Sequence, residues 1–298
     1  MKKILKWVGI VVAGLVALLV GAILVLILLG SRRISKDYDI QVASVPIPTD
    51  AVSIERGRHY VETVGLCSEC HGEGLGGDIL SEDSVFGTLA SPNLTSGASG
   101  IGDALSDEDL VRAIRHGVGR DGEALVIMPS EYFNKISDAD LGAIVAYIRN
   151  LPPVDNQVPK TSLGPLGRVI ALLDSSILPA SKFDHTAPRP PDPTPGVTVE
   201  YGEYLATICS VCHGDNLSGG SVPGEQDAPV ARNLTPEGVL VSWEESDFIN
   251  TMRTGKTPGG GQLDGEFMPW EHFARMTDDE LKALWMYLKT LPPSDSGE

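Results

Sequence analysis

Cys67-Ser68-Glu69-Cys70-His71 and Cys209-Ser210-Val211-Cys212-His213 are the two stretches that decide the fold. Each places two thiols at Cys-x-x-Cys spacing, with an imidazole directly after the second. That spacing is the one used for c-type haem attachment. The thiols add to the two haem vinyl groups, and the adjoining histidine is placed to ligate the iron from one face. These four cysteines are all the cysteines in the chain, so none is left over. A zinc site fits poorly, because each motif offers only two thiols and no His-x-x-x-His partner follows nearby. Cys67, Cys70, Cys209 and Cys212 are therefore candidate attachment points for two covalently bound haem c groups. His71 and His213 are candidate iron ligands.

The motifs sit in an internal duplication running from about Ile54 to Val154 and from about Val199 to Ser294. Each copy opens on a glycine and a tyrosine (Gly57 to Tyr60, Gly202 to Tyr204) and a short helical stretch before its motif. Pro92-Asn93-Leu94-Thr95 then matches Arg232-Asn233-Leu234-Thr235. Acidic helix starts follow, at Ser106-Asp107-Glu108-Asp109 and at Trp243-Glu244-Glu245-Ser246-Asp247. Both of these helices end in Arg-x-Gly, at Arg115 to Gly117 and Arg253 to Gly255. Met128-Pro129 and Met268-Pro269 come next, and both copies close on Leu-Pro-Pro. Ser137 and Thr277 read as N-caps of the last helices, with Asp140 and Glu280 three residues on as capping-box partners. Apolar Leu141, Ile144, Val145 and Ile148 fall at helical spacing, as do Leu281, Leu284, Trp285 and Leu288. The Pro-Pro pairs stop both helices. The Gly- and Pro-rich stretches between helices read as irregular loops rather than strands.

Met/His ligation is characteristic of many cytochromes c and raises their potentials. Met128 stands 61 residues after Cys67, and Met268 stands 59 after Cys209. Both precede proline at the same place in the repeat, which makes them the candidate sixth ligands. Core filling is the alternative for any methionine, and it is the reading for Met252, Met276 and Met286. Two saturated irons leave no open site for peroxide or oxygen, which points to electron transfer.

On these motifs each repeat resembles a class I cytochrome c domain. The whole is similar to a membrane-anchored dihaem cytochrome c, of the kind found as cytochrome subunits of periplasmic alcohol and other dehydrogenases. Those subunits commonly carry three haem domains, whereas this chain shows two motifs. The resemblance implies a mainly α fold, with an N-terminal helix crossing a C-terminal helix and haem in the cleft. It implies that Cys67, Cys70, His71 and Met128 hold one haem, and Cys209, Cys212, His213 and Met268 the other. The expected organisation is a transmembrane anchor over 1–36, a cytochrome unit over 37–154, a linker over 155–198 and a second unit over 199–298. The linker carries a short apolar helix, Leu163 to Leu178, and a proline-rich strap, Pro188 to Pro195, laid across the two units.

Weaker candidates carry two readings each. Asn93 and Asn233, with Thr95 and Thr235, could bond a haem propionate or the ligand loop, or could serve the turn itself. Arg115 and Arg253 could neutralise propionates, or could complement a helix dipole. His59, His116 and His272 could ligate iron if a methionine dissociates, or serve as surface or structural residues, the favoured reading; His116 has no matching histidine in the second repeat, where Thr254 stands.

Val8 to Gly30 is an unbroken apolar and glycine run of 23 residues. As a helix it would span about 35 Å, enough for a hydrocarbon core of roughly 30 Å. The run exceeds the apolar region of a signal peptide, so an uncleaved anchor is expected. Lysines before it and arginines after it leave the charge rule near a tie. Resemblance to c-type cytochromes implies that everything after Ser31 lies on the periplasmic side and the N-terminus in the cytoplasm.

Residues 1–36 hold six Lys/Arg and no acid, which leaves 17 basic against 40 acidic residues beyond them, a formal −23. Such a surface disfavours nucleic acid and suits a basic redox partner or plain solubility. The expected function is relay of single electrons from a respiratory or photosynthetic donor complex or a dehydrogenase to a terminal acceptor, within or docked to a membrane oxidoreductase complex. The alternatives are a dihaem peroxidase or thiosulfate-oxidising enzyme, and a structural haem subunit.

Overall fold

Two helix pairs, one in each repeat, form the frame of the molecule. The computed structural model describes residues 2–221 and 229–294. Met1 and residues 295–298, assigned from sequence to the anchor and the second unit, lie outside the described residues. The fold is mainly helical. In the first repeat, α2 (Ala51–Glu62) crosses α6 (Asp138–Arg149); in the second, α8 (Val199–Ala206) crosses α12 (Asp278–Thr290). The crossings are close because glycine stands at each. A Cβ on Gly57 would lie 2.0 Å from the Ala143 carbonyl oxygen, and one on Gly202 would lie 2.0 Å from that of Ala283. The glycines that open each repeat are thus steric requirements of the helix pair.

Between the paired helices come short elements in matching order. α3 (Cys67–His71) and α9 (Ser210–His213) carry the cysteine–histidine motifs. α4 (Asp107–Val111) and α10 (Glu245–Thr254) carry the acidic starts, and α5 (Ser130–Phe133) and α11 (Trp270–Phe273) follow the Met-Pro pairs. On α12 the full box read from Thr277 and Glu280 closes; α4, read only as an acidic start, also closes one between Ser106 and Asp109, and on α10 the Glu244 amide donates to the Asp247 carboxylate. Ser137 caps α6 by accepting the Asp140 amide, but the buried Asp140 carboxylate, still 3.4 Å from the Ser137 hydroxyl that donates to it, takes its shorter bonds from Arg56 and Tyr204. α4 continues into a π turn over Arg112–His116, and both this segment and α10 stop on left-handed glycines, Gly117 and Gly255.

Each helix pair closes its own apolar core. Leu141, Ile144, Val145 and Ile148 meet Val61, Leu110 and Phe133 in one core; Leu281, Leu284 and Leu288 meet Leu205, Phe248 and Phe273 in the other. A third cluster belongs to the first repeat's side of the molecule, where Val118, Leu163, Ala171 and Leu178 gather Ile34, Tyr38 and Phe86.

Two stretches differ from the sequence reading. Where loop was expected, β1 (Asp78–Asp83) and β2 (Gly87–Ser91) form an antiparallel hairpin, which β3 (Ser162–Leu163) extends. The turn is made by Asp83, whose carboxylate accepts the amides of Val85 and Phe86. The linker helix is shorter than Leu163 to Leu178. α7 runs over Pro165–Leu173, after which Asp174 caps a new turn through the Ser176 amide.

α1 (Lys2–Ile34) is, among the described residues, the one helix long and apolar enough to cross a membrane by length and composition. It joins the body at its far end, against α7.

Candidate functional site

Each cysteine–histidine motif folds as one tight helical turn, so its side chains converge instead of pointing apart. All four cysteines are free thiols. Cys67 and Cys209 are half-buried, and desolvation foremost pushes each thiol up to about 12, with the second cysteine of the motif adding to the rise. At neutral pH they are uncharged thiols.

The two histidines are held alike. His71 Nδ1 stands 3.0 Å from the Pro92 carbonyl oxygen, and His213 Nδ1 stands 2.7 Å from that of Arg232. Each Nδ1 therefore carries the proton and donates it, leaving Nε2 as the bare nitrogen. Burial lowers the pKa of both rings, against the opposing effect of the backbone bond, so both are neutral imidazoles at neutral pH. A neutral ring oriented by a carbonyl is the form that ligates a metal.

Those two carbonyls sit on the Asn-Leu-Thr loops, where Asn93 and Asn233 are buried. Asn93 donates to the Val154 carbonyl (2.7 Å) and accepts from the Thr95 amide (2.9 Å). Asn233 repeats the pattern with the Ser294 carbonyl (2.7 Å) and the Thr235 amide (2.8 Å). Each loop is thereby stapled to the chain just past Pro-Pro.

Met128 packs against the same apolar cluster as Cys67, and Met268 against the same cluster as Cys209. The free thiols, the oriented bare nitrogen and the soft thioether around one apolar core are a donor set that fits haem c in each repeat. Arg115 and Arg253 lie one step further out. Arg115 donates to the Ile136 carbonyl (2.7 Å) and pairs with Asp138 (2.5 Å), while its buried Nε has no protein partner among the described residues. Arg253 donates to the carbonyls of Ala274 and Met276 and pairs with Asp278. Both guanidiniums tie the segment after Met-Pro to the start of the last helix.

The seam between the repeats is built from residues that sequence reading left as structural or did not single out. Matching Gly57 to Gly202 places His59 over Tyr204, and matching the N-caps places Asp140 over Glu280. The structure uses these positions reciprocally. His59 Nε2 reaches the Glu280 carboxylate at 2.9 Å, and Tyr204 donates to the Asp140 carboxylate at 2.6 Å. Arg56 and Tyr201 join them, and together they line a cavity of about 150 Å³. The repeat register was the signal that could have revealed this exchange.

The seam also runs past the motifs. His272, four residues after Met268, contacts the Glu62 carbonyl through Nδ1 (3.0 Å) and the Glu69 carboxylate, inside the first motif, through Nε2 (2.5 Å). Its counterpart Tyr132, four residues after Met128, lies within electrostatic reach of Cys212 and Asp215 in the second repeat; burial foremost pushes its phenol up to about 12. Leu66, just before Cys67, packs on the second core, and Ile208, just before Cys209, packs on both. His116 is placed elsewhere, its Nδ1 3.2 Å from that of His185.

Comparison with known proteins agrees with this division. Residues 53–148 match the family model described as cytochrome C oxidase, cbb3-type, subunit III, and residues 199–292 match that described as cytochrome c. The chain is 29 % identical over 284 residues to the cytochrome c subunit of the quinone alcohol dehydrogenase of Komagataeibacter europaeus, covering 82 % of this chain and 57 % of the relative. It is 29 % identical over 292 residues to a nicotinate dehydrogenase subunit of Pseudomonas putida, covering 88 % of this chain and 24 % of that one. It is 28 % identical over 285 residues to the gluconate 2-dehydrogenase cytochrome c subunit of Pantoea cypripedii, covering 82 % and 61 %. The chain thus spans less than two thirds of the length of these relatives. The two structurally matched repeats are thus two cytochrome c domains, and the chain is similar to the cytochrome c subunits of dehydrogenases.

Proposed function

We propose that the chain holds two covalent haem c groups and passes single electrons between them, from a dehydrogenase or other donor complex to a downstream acceptor. The seam carries this reading: the segment before each motif, and the helix after the second Met-Pro, lie against the opposite domain, and Tyr132 after the first lies within electrostatic reach of it. When bound, haem c supplies an iron that takes up and releases one electron. The chain's own residues do the rest. Cys67, Cys70, Cys209 and Cys212 fix the group, and His71 and His213 present Nε2 to the iron. Met128 and Met268 would supply the iron a thioether, which favours the ferrous state. Asn93 and Asn233 act through Pro92 and Arg232, holding the carbonyls that orient the two histidines. Arg115 and Arg253 hold the methionine segments against the last helices, and the buried Nε of Arg115 is a donor left for a haem propionate.

α1 tethers the chain to the cytoplasmic membrane, with both domains on the periplasmic side. The names of the relatives favour a dehydrogenase as electron donor, and the acidic surface favours a basic docking patch on the partner. Haem quantitation tests the core of the reading. The full chain matured with its haem should carry two haem c groups, Cys67→Ala/Cys70→Ala and Cys209→Ala/Cys212→Ala should each carry one, and both wild-type haems should show low-spin spectra with a near-infrared Met-to-iron band. One haem in the wild-type protein, or a high-spin resting haem, overturns it.

A further inference from the structure

The far end of α1 is clasped by α7. The stripe Ile27, Gly30, Ser31 and Ile34 is the part of that end withdrawn from solvent, and Gly30 is buried. A Cβ on Gly30 would stand 2.0 Å from the Arg168 carbonyl oxygen, so the two backbones touch there. Arg168 Nη1 donates to Ser31 Oγ (3.1 Å), and Arg33 Nη1 donates to the Leu172 carbonyl (2.6 Å). Gly30 and Ser31 meet Arg168, and then Arg33 meets Leu172. The two helices therefore run side by side in the same direction, which puts the first turn of α7 level with the last apolar turn of α1.

The outer face of α7 is apolar and has no protein cover among the described residues. Leu166 is 46 % and Leu173 74 % exposed. The β1–β2 turn adds to this face, because the Leu166 amide donates to the Val85 carbonyl (3.1 Å) and Val85 is itself 52 % exposed. Arg168 is the one charged residue of α7, and α1 ends on Arg32 and Arg33, with Lys36 two residues past its last residue. A basic edge beside an apolar face, with Asp83 before Val85 and Asp174 after Leu173 as its nearest acids in sequence, contrasts with the formal −23 of the chain beyond residue 36. It is the composition of a segment that lies in a membrane interface.

We propose that α7 and the β1–β2 turn rest in the headgroup–acyl boundary of the bilayer that α1 spans. Leu166 and Val85 enter it, and Leu173 lies shallower. The occupant is lipid because the face continues directly from the apolar surface of α1, at the level where that surface ends. The inference rests on the anchor reading above. Its consequence is a first domain held in one orientation at the membrane, rather than swinging on a tether.

Fluorescent labelling of single-cysteine variants tests it, since the native thiols are consumed by haem attachment in the proposed holoprotein. Leu166→Cys, Val85→Cys and Leu173→Cys, each in the full chain, are labelled with NBD and reconstituted in vesicles containing lipid-borne doxyl quencher near the headgroup. Leu24→Cys in α1 reports the anchor, and Val241→Cys, at a 67 % exposed residue of the second domain, reports background. Quenching at positions 166 and 85 is expected to exceed that at 241 at least twofold, with 166 quenched more than 173. Background quenching at 166, 85 and 173 with strong quenching at 24 overturns the inference and leaves the anchor standing; such a face would await a protein partner. Background quenching at 24 as well overturns the anchor reading and the inference with it.

Discussion

The two domains share one plan and differ in what surrounds it. Both cross a first and a last helix over a glycine, and both orient the motif histidine through a loop carbonyl. The first domain adds a three-stranded sheet, a third apolar cluster and contact with α1 through α7. At the matching place in the second domain the described residues hold one bridge, between Gly220 and Ala231. The seam is also unlike on its two sides: a histidine–glutamate pair on one, a tyrosine–aspartate bond on the other. A duplicated unit keeps what its cofactor chemistry needs and diverges where it meets neighbours.

The largest effects should show how alike the two centres are. Met128→His and Met268→His should each lower one of two potentials, by a few tenths of the roughly 0.8 V range that axial ligands span. Separate redox titrations of the two variants check this; if neither potential moves, the ligand assignment is wrong.

Next come the helix crossings. Gly57→Val and Gly202→Val each force a side chain into a carbonyl at 2.0 Å. Each should cost about 1–3 kcal/mol or more in thermal or denaturant unfolding. Equal losses would say that the extra layer of the first domain lends its helix pair no tolerance.

The seam separates the two sides by pH. The Glu280 bond raises the His59 pKa, against burial, which lowers it. Burial works to raise Glu280, but the His59 and Thr277 bonds outweigh it and hold the carboxyl low. A raised histidine stabilises fully below its ordinary value of 6.5 and loses that contribution as pH rises through the folded value. A depressed carboxylate stabilises above its ordinary value of 4.5 and loses that contribution as pH falls through the folded value. The pair should therefore count most between about pH 4.5 and 6.5. His59→Ala should cost about 1–3 kcal/mol there and less on either side. Tyr204→Phe should cost about 1–2 kcal/mol with little change from pH 5 to 8, since burial foremost and then Asp140 raise the phenol's pKa and Arg56 still pairs Asp140. Unfolding curves across pH distinguish the two.

The smallest effect belongs to the surface. Arg58 pairs with Glu55 and Glu62 along α2, all in contact with solvent. Arg58→Ala should change stability by less than about 1 kcal/mol, and less still in high salt.

Much of the candidate site was legible in the chain itself. The motif turns, the Met-Pro pairs and the Asn-Leu-Thr loops are local in sequence and come in duplicate, so each copy vouches for the other. The hairpin was missed because its strands lack apolar alternation: Asp78–Asp83 is largely exposed and ends in acids. The loop asparagines had two readings in sequence, and only placement beside Val154 and Ser294 shows what their amides bond. Asp140 looked like a capping partner like any other. It instead faces Arg56 and Tyr204, which a capping pattern three residues long does not report.

The sequence by itself determined the candidate site: two Cys-x-x-Cys-His motifs and two Met-Pro pairs in a doubled helical unit. It could do so because thiol spacing, helix capping and proline stops act over a few residues. Tertiary structure decided how the two units meet and how α7 lies on α1. Those contacts join residues as much as 221 positions apart, as His59 and Glu280 are. Their worth depends on burial and distance, which a chain acquires only when it folds.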